Sequence, residues 1–338
     1  MSKRKLTRRQ AWRAEKIQQE RLSRGRKKVA DITTSLEGSE LGSEQIGRVI
    51  IRFGSQVDVE DSHGKLHRCL MRQNLPPLVC GDLVVWQAGK NDNTGVVVAM
   101  EPRQSLLERP DADNQLKPVA ANINQVLVVA APEPALDTDL INRYLVAAEI
   151  TDIPPVLVIN KTDLLDDAAL SKLKKQLQIY ADIGYTTLYT STLESHGLDA
   201  IIDYLRDRTS IFVGQSGVGK SSLIQALLPH EDLRVGELSV ATKLGRHTTS
   251  ATRLYHFPGG GELIDSPGVR AFRLGHASFK QITEGFVEFR PYLGQCRFHN
   301  CRHGAEPDCA LQAAVASAEI SFERFESYQR IIASMQTT

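Results

Sequence analysis

The chain has 338 residues, enough for two or three domains of ordinary size. With 41% hydrophobic and 24% charged residues it is neither wholly disordered nor fibrous, and no apolar run approaches the roughly 18 residues that span a bilayer. The net charge of +1 conceals an asymmetry: residues 1–30 carry twelve Lys or Arg against Glu15 and Glu20, while the remainder holds 29 basic and 38 acidic residues. In this arm Trp12, Ile17 and Leu22 interleave with the charges at near-helical spacing, a pattern that orders on an anionic partner. Nucleic acid is the expected partner; the arm has too few large apolar residues for a deep membrane-binding face. No apolar segment follows the basic start as in a secretory signal. Three of the five cysteines fall within Cys296–Cys309, which suits a metal site in a reducing, cytoplasmic compartment.

After a Gly/Ser/Glu linker around Glu37–Glu44, five short β patterns follow: Arg48–Phe53, Gln56–Glu60, Lys65–Arg72, Asp82–Trp86 and Val96–Met100. Their even spacing and lack of a helical period predict a small closed barrel, with Arg48, Arg52, Lys65, Arg68 and Arg72 as a nucleic-acid face. Cys69 and Cys80 read as packed thiols. From Asn124 the period changes. Strands at Gln125–Ala131, Pro155–Asn160, Thr186–Thr190 and Ser210–Val213 alternate with helices at Asp139–Ile150, Ala168–Tyr180 and Leu198–Arg206. That alternation predicts a parallel sheet covered on both faces, with ligands at the carboxyl ends of its strands. A strand at Glu262–Ile264 and a last helix near Ser321–Ile332 complete the pattern.

The motifs fall at those strand ends. Gly214–Ser221, G-Q-S-G-V-G-K-S, is a phosphate-binding loop between a strand and a helix. Gly214, Gln215, Ser216, Gly217, Val218 and Gly219 bring backbone N–H groups to a phosphate at the helix N-terminus, where Ser222 also lies. Lys220 would reach the β- and γ-phosphates and Ser221 would bind Mg²⁺. Asn160, Lys161, Thr162 and Asp163 form N-K-T-D. A carboxylate there accepts both the N1–H and the 2-amino hydrogens of guanine, and adenine offers neither. Asn160 can tie this loop to the phosphate loop, and the Lys161 stem can cover the purine.

Asp265–Gly268, D-S-P-G, supplies Asp265 for Mg²⁺ through water and the Gly268 N–H for the γ-phosphate. Between lies G-R-H-T-T, Gly245–Thr249, a switch in which Thr249, or Thr248 in its place, offers a hydroxyl to Mg²⁺. Val269 stands where many GTPases carry a water-orienting glutamine, so intrinsic turnover is expected to be slow; His247 is the best substitute in the chain. Cys296, Cys301, His303 and Cys309, spaced C-x4-C-x-H-x5-C, are a closed ligand set for one structural Zn²⁺.

The motif order is permuted: N-K-T-D precedes the phosphate loop, and D-S-P-G runs into the Cys/His segment. In this order the chain resembles the circularly permuted, ribosome small-subunit-dependent GTPases, the RsgA or YjeQ family. The resemblance covers nearly the whole chain and rests on G-Q-S-G-V-G-K-S, L-G-R-H-T-T, I-D-S-P-G-V-R and C-R-F-H-N-C-R-H-G-A-E-P-D-C. It implies a multidomain protein: a basic arm and linker at 1–44, an OB-like β-barrel at 45–105 that binds RNA, a circularly permuted α/β P-loop GTPase domain at 106–275, and a C-terminal helical zinc-binding domain at 276–338. It further implies a monomeric GTPase that converts GTP to GDP with Mg²⁺. The partner would be the small (30S) ribosomal subunit and its rRNA, which stimulates turnover late in assembly, with His247, Lys220 and Thr249 at the chemistry. Two rival readings are a GTP-dependent RNA-binding scaffold with little hydrolysis and a metabolic enzyme that uses GTP.

Overall fold

The computed structural model describes residues 41–336 apart from 73–74, 90–92, 111–114, 230–251, 266–273 and 275–276. The basic arm, His247, Thr248, Thr249, Gly268 and Val269 lie outside the described residues. The described chain divides into two compact units: one runs up to Leu78 and includes Asp82–Pro102, the other comprises Val79–Gly81 and everything from Arg103.

The first unit is a closed five-stranded barrel. Its strands are β1 (Glu44–Phe53), β2 (Gln56–Glu60), β3 (Leu66–Met71), β4 (Leu83–Ala88) and β5 (Thr94–Met100). They pair in the order β1-β2-β3-β5-β4, and β4 returns to β1. Strand β1 serves both partners: Arg48–Phe53 faces β2, while Glu44–Arg48 faces β4. Period-two alternation sends Val57 and Val59 of β2 inward, where they meet Val49, Cys69, Leu78, Val84, Trp86 and Val97. Burial pushes the Cys69 thiol up to about 12, so it stays a neutral packing group. Two of the expected basic face residues are engaged within the barrel. Arg52 donates through Nη1 to the Leu78 carbonyl (2.8 Å), and Arg68 pairs with Asp58 while its guanidinium lies 4.5 Å from the Phe53 ring centroid.

The second unit opens with a hairpin, β6 (Leu106–Pro110) and β7 (Leu116–Ala121), that the sequence pattern does not reveal. The α/β sheet follows: β8 (Gln125–Ala130), α1 (Thr138–Ile150), β9 (Pro155–Ile159), α2 (Asp167–Asp182), β10 (Thr187–Tyr189), α3 (Asp199–Leu205), β11 (Thr209–Gly214), α4 (Lys220–Leu227), β12 (Arg253–His256) and β13 (Glu262–Asp265). Strand order is β10-β9-β8-β11-β13-β12. Every residue of β8 and β9 is buried, as continuous apolar runs require when helices cover both faces. Asp137 and Asp166 cap α1 and α2 by accepting from Leu140 N (3.0 Å) and Ala169 N (2.7 Å). The strands expected from the sequence, β8 to β11 and β13, all pair in parallel. Strand β12, which the sequence pattern does not reveal, is antiparallel to β13, because residues 257–261 make a tight turn closed by the Phe257 N–H on the Gly261 carbonyl (2.9 Å).

In the same unit the C-terminal helices α5 (Phe279–Gly285), α6 (Ala310–Ala316) and α7 (Phe322–Gln336), with a 3-10 segment at Val287–Tyr292, surround an aromatic core of Phe286, Phe289, Phe325 and Tyr328. Ser278 and Gln281 form a reciprocal capping box at the start of α5. Helix α1 joins this core through Val146 and Ala147. Polar bonds add to the join. Arg324, 1% exposed, makes two bonds to Glu288 (2.7 and 3.0 Å) and one to Asn142 Oδ1 (2.6 Å). Asn142 in turn donates to Ser327 Oγ (2.8 Å) and accepts from the Tyr180 hydroxyl (2.9 Å).

Candidate functional site

The carboxyl ends of β8, β9, β10, β11 and β13 line one edge of the sheet, because parallel pairing sets Ala130 beside Ile159, Val129 beside Gly214, and Ile159 beside Tyr189. The phosphate loop leaves β11 at Gly214 and enters α4 at Lys220. Gly214 (φ 143°) passes so near β8 that a Cβ there would sit 2.1 Å from the Val129 carbonyl oxygen. Gly219 (φ 89°) is equally constrained, since a Cβ would lie 2.4 Å from Asn160 Nδ2. Val218 points the other way and is buried in the core under the loop. Gln215, Ser216, Gly217 and Ser222 are exposed at the loop and the first turn of α4, and Ser221 is half-buried beside them. Lys220 Nζ curls back to the Gly214 carbonyl at 2.7 Å.

The N-K-T-D segment leaves β9 into a short 3-10 turn, Thr162–Leu164. Asn160 is 1% exposed; its Nδ2 donates to the Val218 carbonyl (3.0 Å) and its Oδ1 accepts from Thr190 Oγ1 (3.2 Å). One side chain thus joins β9, the end of β10 and the phosphate loop. Lys161 takes a left-handed conformation (φ 62°) and donates through Nζ to the Glu133 carbonyl (3.0 Å). Thr162 is buried, with its N–H and Oγ1 both donating to the Thr190 carbonyl at 3.2 and 3.1 Å. Asp163 stays partly open and accepts from Ser191 Oγ at 2.5 Å. Asp265 ends β13 on the same edge.

Thr190 and Ser191, both fully buried, are members of this site that the motif reading left unnamed. They sit at the end of β10, so the rule that ligands gather at strand carboxyl ends pointed at them. What the sequence lacked was the pairing of β10 with β9, which sets Ser191 beside Asp163.

The second cluster lies in the C-terminal core. His303 Nδ1 is 3.5, 3.6 and 3.4 Å from the sulfurs of Cys296, Cys301 and Cys309, and Cys296 Sγ is 3.9 Å from Cys309 Sγ. All four ligand atoms lie within 4.8 Å of one another, so the cluster can hold a metal ion. The His303 N–H also points at Cys301 Sγ (3.4 Å), and Phe279 stacks at 6.2 Å on the imidazole. Burial pushes the Cys301 thiol up to about 12, raises Cys309, and lowers His303. A bound cation reverses that balance by stabilising thiolates.

A mostly parallel sheet whose N-K-T-D motif precedes its phosphate loop, both on one edge, defines a circularly permuted P-loop GTPase. Known proteins specify it further. The RsgA GTPase family model matches residues 100–275. The chain is 55% identical to the small ribosomal subunit biogenesis GTPase RsgA of Chromohalobacter salexigens, over 100% of each chain. Its identity to the protein of that name from Pseudomonas aeruginosa is 50%, over 100% of this chain and 99% of the relative. Among solved structures, YjeQ from Thermotoga maritima superposes with a TM-score of 0.71 at 30% identity, covering 88% of this chain and 100% of that one. YloQ, described as a circularly permuted GTPase, gives 0.70 at 27%, covering 87% and 96%. The chain therefore belongs to the RsgA GTPase family.

Proposed function

We propose that this protein hydrolyses GTP while bound to the small ribosomal subunit and acts in that subunit's biogenesis, with the subunit stimulating turnover. The observation that carries the nucleotide part is the buried Asn160 bond to Val218, which locks the base-reading loop and the phosphate loop into one receptor. On this reading Asp163 selects guanine, Lys161 covers the base, and the loop from Gly214 to Ser222 holds the phosphates. Lys220 would leave the Gly214 and Gln215 carbonyls for the β- and γ-phosphates when nucleotide enters. Mg²⁺ would be held by Ser221 and Thr249, with Asp265 acting through water, and it would neutralise charge on the phosphates. His247 as the water-orienting group rests on the family resemblance and on the apolar Val269. The ribosomal part is supported by the names of the full-length relatives and by the basic arm.

The metal is proposed to be Zn²⁺. A tetrahedron with typical zinc–sulfur and zinc–nitrogen lengths has edges of about 3.8 Å between sulfurs and about 3.6 Å between sulfur and nitrogen. The Cys296–Cys309 separation of 3.9 Å and the three sulfur–nitrogen separations of 3.4–3.6 Å are close to those edges, and all four atoms lie within 4.8 Å of one another. Four protein ligands leave no open position, so the ion would hold the C-terminal fold together without taking part in the chemistry. Along the chain we assign arm, barrel, GTPase and zinc-binding regions to 1–44, 45–105, 106–275 and 276–338.

The decisive experiment is GTP turnover with and without purified small subunits. Strong stimulation is expected. Stimulation by a small metabolite in its place would favour a metabolic enzyme, and absence of turnover under both conditions would favour a nucleotide-holding scaffold.

A further inference from the structure

A groove of about 620 Å³ beside the metal cluster takes no part in the reading above, and its volume is that of a small-ligand site. Phe279, Ile332 and Met335 give it an apolar lining. One wall comes from the segment 295–304, Q-C-R-F-H-N-C-R-H-G, of which Phe298, His299, Asn300 and Arg302 line the groove next to the cluster residues, with Lys280 and Glu284 also in the lining. Phe298 stands 42% exposed on this wall, with the Arg297 guanidinium 5.6 Å from its ring centroid. Arg297 is held by Asp308 (2.8 Å), and Lys280 on the opposite side lies 3.7 Å from Glu284. Arg302 is exposed on the rim; its backbone N–H donates to Glu306 Oε1 (2.9 Å), and among the described residues its guanidinium forms no ion pair with a carboxylate.

A part-exposed aromatic ring with a guanidinium over it, an apolar slot and a cation without an ion-pair partner on its rim together match the two ends of a nucleotide. The base is flat and apolar-faced, and the phosphate is anionic. We propose that this groove receives one unpaired nucleotide of RNA, its base stacked on Phe298 and its phosphate held by Arg302. An apolar peptide would fill the slot but leave Arg302 without a counter-charge. The inference rests on the ribosomal reading, which makes RNA the polymer at hand, and goes beyond it in naming the surface and the chemistry of contact. Capture of an unstacked nucleotide would fix the register of this region on the RNA, as a backbone contact alone cannot.

The test is photocrosslinking of the full-length protein to a short single-stranded oligouridylate carrying 4-thiouridine, with adducts mapped to peptides. An adduct within 295–304 is expected. Phe298→Leu keeps apolar volume but removes the π face, so its yield at that segment should fall about tenfold while adducts elsewhere in the chain persist. Phe298→Tyr should retain the yield, and Arg302→Gln should reduce it most at low salt, with metal content unchanged in all variants. Adducts confined to other segments, or equal yields for Phe298→Leu and wild type, overturn the proposal. Should Phe298→Leu lose its metal, the wild-type map and Arg302→Gln decide. Subunit-stimulated GTP hydrolysis by the wild type is measured in parallel. Its absence removes the ribosomal reading, whereas stimulation without an adduct in 295–304 removes this proposal alone.

Discussion

At the scale of single residues, the proposed choice of base rests on Asp163 and Ser191. In the proposed complex the Asp163 carboxylate accepts from guanine while Ser191 Oγ holds it from the side at 2.5 Å. Asp163→Asn replaces an acceptor with a donor facing the N1–H. GTP affinity should fall by two orders of magnitude or more, on the order of the cost of an unpaired buried polar group, and xanthosine triphosphate should gain. Equal weakening of both nucleotides in a binding titration would remove Asp163 from base recognition. Ser191→Ala leaves the acceptor in place but frees its rotamer, so a loss of about tenfold in GTP affinity is expected, without a gain for the xanthine nucleotide. His247→Ala should leave GTP affinity within a few-fold yet lower subunit-stimulated hydrolysis by roughly 10²-fold, the scale of a lost acid–base or water-orienting group. Normal stimulated turnover in that variant would assign the water to another group or to the partner.

At the scale of elements, the C-terminal helices surround a Cys/His cluster that can hold a metal ion and are tied to α1 by a buried polar join. Cys301→Ser should release the metal and lower the thermal midpoint of the C-terminal region, because metal binding in so small a site is folding free energy. GTP binding should survive, since no ligand of the cluster belongs to the nucleotide edge. Metal analysis that finds the ion retained in this variant would exclude Cys301 as a ligand. Arg324→Met alone would strand Glu288 without a partner, at a cost of about 3–5 kcal/mol, and pairing it with Glu288→Leu should recover much of that loss. Chemical denaturation of the single and double variants distinguishes this from a simple packing defect. The outer tie between Arg330 and Asp139 (2.6 and 2.8 Å) adds a pH dependence. The Arg330 guanidinium holds Asp139 below the ordinary 3.8, so its stabilisation is present above that value and lost as acid drives the carboxylate toward protonation. The difference in thermal midpoint between wild type and Asp139→Asn should therefore be constant near neutrality and shrink below about pH 4.

At the scale of the whole molecule, the charge asymmetry divides the labour. On the proposed reading, twelve cations in thirty residues would displace condensed counterions from RNA, so affinity for the small subunit should fall steeply with salt. If four of them meet phosphate, deleting residues 1–30 should lower the log–log salt slope by about 3. Basal hydrolysis should stay unchanged because the arm supplies no nucleotide motif, while stimulated hydrolysis should fall with binding. Unaltered affinity, slope and stimulation after truncation would reduce the arm to a solubilising tail.

The sequence by itself determined much of the candidate nucleotide edge and the four residues of the candidate metal site. A phosphate loop is a local object: glycines at 214, 217 and 219 and a lysine at 220 carry their geometry in eight consecutive residues, and the four candidate metal ligands fall within fourteen. The buried runs of β8 and β9 and the period-two strands of the barrel were readable for the same reason, because side-chain periodicity is a short-range signal. Tertiary structure decided what depends on pairing between distant segments. Thr190 and Ser191 join the site only because β10 lies beside β9, and Asn160 reaches Val218 across 58 positions. Arg324 looks like a solvated charge on an amphipathic helix until Glu288 and Asn142 enclose it, and β12 turns antiparallel through a five-residue turn with no periodicity to announce it. Local geometry is written in neighbouring residues; the partner of a polar group or a strand edge is fixed only when the chain has closed on itself.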